Sequence, residues 1–184
     1  MIPEGENIML KAIAKLAAAL NGNTRKDQIA LGFSWGLLLA LIPAGNFFWI
    51  VLFVLSFLFR HHHGSKMLVM AVVKLFTPLL YPALVDPIGW EVLHIEPLAP
   101  FYTALYNMPF VPFTRFNNTL VAGGLAAGIA LFIPVFIIML FAVSLYRTTI
   151  LPKILSTRLF RTVSGFPLVA KLARLVSAFQ NDID

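Results

Sequence analysis

The sequence predicts an all-α integral membrane protein of broken, re-entrant helical hairpins, with amphipathic interfacial helices at both ends. Three observations lead there. Hydrophobic residues fill 59% of the 184 positions and charged residues 12%, with a mean hydropathy of +0.85, a balance foreign to a soluble domain. The longest apolar run, residues 29–59, carries no charge, yet Pro43, Ala44, Gly45 and Asn46 interrupt its centre. Basic residues bracket that run, Arg25 and Lys26 before it and Arg60 and Lys66 after it.

A continuous helix over that run would reach about 45 Å, well past a bilayer core of about 30 Å, while each half alone reaches only about 20–24 Å. The chain therefore either crosses once with a strong kink or turns back at the break. By the positive-inside rule both flanks are cytoplasmic. A re-entrant hairpin satisfies length and charge together.

The 184 residues form one membrane domain, with no room for a separate soluble catalytic domain. Residues 1–24 hold an amphipathic helix: Met9, Ile13, Leu16 and Leu20 share a face, Lys11 and Lys15 lie on another, and Asn21 and Gly22 suit its end. It lies on the cytoplasmic surface or packs on the core. The acidic start, with Glu4 and Glu6, lacks the basic n-region of a signal peptide, so insertion is expected through internal segments.

Residues 25–66 form the first broken hairpin. Gly32 and Gly36, four apart on its entry arm, allow close approach of a neighbouring helix. The exit arm, rich in Phe and Trp, suits a lipid-facing surface. At the turn Pro43 removes a donor, Gly45 permits unusual dihedrals, and Asn46 can satisfy backbone groups that the break frees. His61, His62 and His63 cannot share one face in ligand geometry, and no carboxylate or thiolate completes a zinc set, so a solvated turn and no metal site are expected.

Residues 67–113 begin with an apolar stretch broken by Lys74, Pro78 and Pro82, which fits a second short hairpin or a tilted interfacial helix better than a simple span. Lys74 is the notable charge: an intramembrane ionisable group is a functional candidate, with snorkelling as the alternative. Asp86, Glu91, His94 and Glu96 complete no catalytic or metal constellation, and the Tyr, Trp and Pro that follow suit an interfacial belt.

Residues 114–147 start with Arg115, Asn117, Asn118 and Thr119, suited to capping and to holding a broken element or a partner. The apolar run behind them spans once or folds back. Residues 148–184 alternate Lys and Arg with Leu and Ile, as in basic amphipathic helices on an anionic leaflet. An offset of 91 residues superimposes Gly32 on Gly123 and Pro43 on Pro134: either an internal duplication, with two hairpins around a pseudo-symmetry axis, or a chance match of the kind low-complexity apolar sequence produces.

The net charge of +6 gathers at the two ends beside apolar segments, which favours anionic headgroups over nucleic acid. The sequence holds no cysteine, which excludes disulfides, thiolate metal sites and a Cys nucleophile. No nucleophile–base pair, phosphate loop or cofactor motif is visible, so an enzyme is not expected.

Residues 29–36, then Ile42, Pro43, Gly45 and Asn46, resemble the opening signature of a bacterial membrane family, domain-of-unknown-function family 2062. Asn107, Met108 and Pro109 with residues 114–119 are similar to a longer subgroup carrying a Phe-Asn-Asn-Thr motif, and the likeness covers about residues 24–147. The three-histidine turn departs from the family pattern. The resemblance implies a bacterial inner-membrane protein without an established activity, in a subgroup that tends to be encoded beside a large envelope protein.

The function expected is thus a non-enzymatic inner-membrane subunit, both termini cytoplasmic, that handles phospholipid beside a larger envelope protein. Gly32, Gly36, Pro43, Gly45, Asn46, Lys74, Arg115, Asn117, Asn118 and Thr119 are its candidate lipid- or partner-binding residues. A small solute or ion transporter and a purely structural anchor are the alternatives, and homo-oligomerisation is open.

Overall fold

The computed structural model describes residues 25–150, so the amphipathic helix expected within residues 1–24 and most of the basic region expected at 148–184 lie outside the described residues. Six α-helices follow one another: α1 (Lys26–Leu41), α2 (Phe47–Ser56), α3 (His63–Leu80), α4 (Asp86–Leu93), α5 (Ala99–Tyr106) and α6 (Thr119–Leu145). No strand occurs among the described residues. Two helical stretches, His63–Leu93 and Thr119–Thr149, are each long and apolar enough to cross a membrane.

α1 is the centre of the fold, packed between α3 and α6. Its pairing with α3 runs parallel. Gly32 meets Ser65 and the His62 carbonyl, Gly36 meets the Lys66 carbonyl and Val69, and Lys74 meets Ile42. Its pairing with α6 runs antiparallel, since Leu41 lies against Gly124, Leu38 against Gly128, and Ile29 against Val143. Small residues at these crossings bring backbones into contact. A Cβ on Gly124 would fall on the Leu41 carbonyl, and one on Gly123 would fall on the Val85 carbonyl at the α6–α4 crossing.

The chain turns back after α1. α2 folds onto it, with Phe48, Trp49 and Leu52 packed against Trp35, Leu38 and Ile42. The hairpin then closes at its base, where the His62 N–H donates to the Gln28 carbonyl at 3.0 Å and the Ser65 hydroxyl donates to the Ile29 carbonyl at 3.3 Å.

Two expectations about continuity give way to longer helices. The stretch from residue 67 is not a second short hairpin; α3 runs through Pro78 and joins α4 by a π-helical turn, Tyr81–Val85, into one 31-residue helical stretch. Proline costs a helix its i→i−4 donor. Here the Lys74 carbonyl, which Pro78 cannot serve, accepts from Thr77 Oγ1 at 2.8 Å instead. Past Pro82 the register widens, and the Asp86 N–H donates to the Tyr81 carbonyl five residues back. α6 likewise runs straight through Pro134, so the counterpart of the Pro43 break is an unbroken helix.

Candidate functional site: the hairpin tip

α1 ends where its sequence predicts. Ile42 is extended (ψ 132°) ahead of Pro43, and Gly45 takes φ +91°, a left-handed conformation that side chains disfavour. Asn46 restarts the helix as N-cap of α2: its Oδ1 accepts from the Trp49 N–H at 2.7 Å and its Nδ2 donates to the Pro43 carbonyl at 2.8 Å.

A helix that stops leaves its last four carbonyls without intrahelical partners. At the end of α1, side chains take up three carbonyls at or beside the break. Trp49 Nε1 donates to Leu39 O at 2.9 Å, Lys74 Nζ to Ile42 O at 2.8 Å, and Asn46 to Pro43 O. Lys74 also lies 3.4 Å from the Tyr81 hydroxyl. Its ammonium thus sits at the negative end of the α1 dipole, which favours a cation there. The sequence singled out Lys74 and the break separately; the structure joins them.

Of the candidate residues, Pro43, Gly45, Asn46 and Lys74 therefore form one cluster. Asn46 is buried, while Ala44 and Gly45 are exposed. Gly32 and Gly36 lie below the tip and face α3. Arg115, Asn117, Asn118 and Thr119 form a separate group at the start of α6. Asn118 is the N-cap, its Oδ1 accepting from Leu120 N at 3.0 Å and Val121 N at 3.4 Å. Thr119 Oγ1 hydrogen-bonds Asp86 Oδ1 on α4, while Arg115 (φ +53°) and Asn117 are exposed.

A third cluster, at the hairpin base, was hidden in the sequence because it needs residues from α1, α2 and the histidine turn to meet. Lys66 is fully buried. Its Nζ donates to Ser56 Oγ at 2.7 Å and lies 4.0 Å from the Phe57 ring centroid and 4.9 Å from that of Phe53. The histidine turn is not simply solvated. His61 is buried against Trp35, and His62 Nδ1 accepts from the Ser65 N–H at 3.0 Å as N-cap of α3. Burial pushes the His61 imidazole down to about 4; the Phe59 carbonyl opposes this, and the charges of Lys66, His63 and His62 add to it. No metal-binding group of His, Cys, Asp and Glu occurs among the described residues.

Fold and site thus define an all-helical protein with two helices of membrane-crossing length and a broken hairpin whose central arm packs between them. The chain is 35% identical over 160 residues to an uncharacterized protein of Treponema pallidum (strain Nichols), covering 87% of this chain and 98% of that protein. It belongs to the same family as that protein. No family profile and no solved structure matches the chain.

Proposed function

We propose that this chain is a non-enzymatic subunit of a bacterial inner membrane that handles phospholipid, as the membrane partner of a larger envelope protein. Its first hairpin is re-entrant and enters from the cytoplasmic face. The resemblance to domain-of-unknown-function family 2062 belongs to the same proposal.

The observation that carries it is the depth of the hairpin tip. Ile42 is tied to Lys74, which lies about 16 Å along its helix from His63, and that helical stretch continues about 28 Å further to Leu93. The turn therefore stops part-way along the α3–α4 stretch. Near its base the bundle has four helical rods, α1, α2, α3 and α6; past the tip the α3–α4 stretch continues, while α6 extends only from Gly124, level with Leu41, back to Thr119. A hairpin that ends beside the longer α3–α4 stretch makes the bundle's cross-section uneven, which would disturb lipid packing, and the exposed Ala44 and Gly45 turn supplies a polar backbone surface at the tip.

Charge supports the orientation. Arg25, Lys26, Arg60 and Arg147 gather at the hairpin base, while Glu91 and Glu96 lie toward the opposite end. The outward residues are apolar, among them Leu75, Phe76, Leu79, Ile133 and Phe141, as lipid contact requires. Ion-coupled transport is the weaker reading, because the Lys74 ammonium is already committed to the Ile42 carbonyl.

The test is transbilayer movement of a fluorescent phospholipid in vesicles containing the purified full chain. Exchange above protein-free vesicles, slowed in Asn46→Ala and indifferent to proton or sodium gradients, is the expected result. No exchange, with a large envelope protein still co-purifying stoichiometrically, would favour the structural anchor. Gradient-dependent solute uptake lost in Lys74→Ala would favour the transporter.

A further inference from the structure

Among the described residues, two side-chain polar atoms are buried without a hydrogen-bond partner: Trp35 Nε1 and His61 Nε2. They belong to one cluster. Trp35 comes from the middle of α1 and His61 from the turn that closes the hairpin, with ring centroids 6.5 Å apart and planes inclined by 26°. Phe59 and Phe132 pack on the same indole at 5.2 and 5.6 Å and surround it with apolar surface. Both residues are more than nine-tenths buried.

Their hydrogen-bonding characters are opposite and fixed. An indole N–H only donates. His61 Nδ1 lies 2.8 Å from the Phe59 carbonyl, which only accepts, so Nδ1 carries the proton and Nε2 presents a lone pair. The two atoms thus offer one donor and one acceptor, with no direct bond between them.

We propose that Trp35 Nε1 and His61 Nε2 form the binding site of a single buried water molecule, which accepts from the indole and donates to the imidazole. Buried polar groups in native structures are nearly always paired, and ordered water is the usual partner where protein groups do not reach. The complementarity selects the ligand. A metal or ammonium cation cannot accept from the indole and is repelled by the nearby Lys66; a simple anion cannot donate to Nε2. Water does both and is the smallest group that does. Its place matters to the fold, because it clasps α1 to the returning chain beside the His62–Gln28 backbone bond.

The experiment is NMR of the full chain in lipid nanodiscs with 15N-labelled tryptophan and histidine, reading cross-relaxation between each indole N–H and water and the 15N shifts of the imidazoles. The native chain suffices, and Trp90→Phe serves only for assignment. Trp49, whose indole donates to Leu39 O, is the dry control, and exposed Trp90 is the rapidly exchanging one. The expected result is a water cross-peak at Trp35 with slow hydrogen exchange, together with an unprotonated His61 Nε2 shifted as a hydrogen-bond acceptor. A Trp35 N–H without a water cross-peak, whether free or bonded directly to His61, would overturn the proposal. So would a proton on His61 Nε2 at neutral pH.

Discussion

At the scale of single residues, the hairpin depends on side chains that serve backbone groups. Lys74→Met keeps most of the aliphatic stem but leaves the Ile42 carbonyl without its donor; an unpaired buried acceptor costs about 1–3 kcal/mol, and thermal unfolding in detergent should fall accordingly. His61 gives the protein an acid-sensitive term. Its pKa is lowered from 6.5 to about 4, so the unfolded chain binds the proton more readily. Stability from this group is fully present above about pH 6.5, is lost as pH falls through the window down to about 4, and levels off below. The slope does not exceed about 1.4 kcal/mol per pH unit. A native-minus-His61→Gln difference in denaturant midpoint that is flat across that window would refute the assignment. The place of Asn46 as N-cap of α2 came from the structure; its importance was legible because a break frees backbone groups that an Asn side chain can satisfy. The partner of Lys74 was not, since Ile42 lies 32 residues upstream and only the parallel packing of α1 and α3 brings them together.

Between elements, glycine spacing decides which helices approach and how closely. Gly32 and Gly36 were readable as a packing face because residues four apart share one side of a helix. Which helix would fill that face was not, and α3 proves to be the occupant. Gly123 and Gly45 make a useful contrast. A Cβ at Gly123 would strike the backbone of α4's entry, whereas Gly45 has open space and only an unfavourable φ. Gly45→Ala should therefore cost about 1–2 kcal/mol and leave a folded, monodisperse protein. Gly123→Ala should cost more and broaden the size-exclusion profile; equal effects would mean that the α4–α6 crossing yields easily. The prolines misled in the other direction. Pro78 and Pro82 stand inside one continuous helical stretch because Thr77 replaces one missing donor and the π turn absorbs the next, and Pro134 stands inside α6 without a break. Such repairs depend on neighbours that periodicity does not weigh.

For the whole molecule, composition made the helical class legible, while the continuity of the two long apolar helices and the route of the chain needed tertiary contacts. Because the protein has no native cysteine, its topology can be mapped by single substitutions. In intact cells an impermeant maleimide should reach Glu96→Cys from outside, Arg60→Cys only after permeabilisation, and Ala44→Cys from neither side. Labelling of Ala44→Cys from outside would mean that the hairpin spans the bilayer. The tie between Ile42 and Lys74 also bears on biogenesis. When residues 26–56 leave the ribosome, the donor for the tip carbonyl has yet to be synthesised. A hairpin made before α3 thus carries an unpaired carbonyl at its tip, so the structure favours α1, α2 and α3 assembling as one unit.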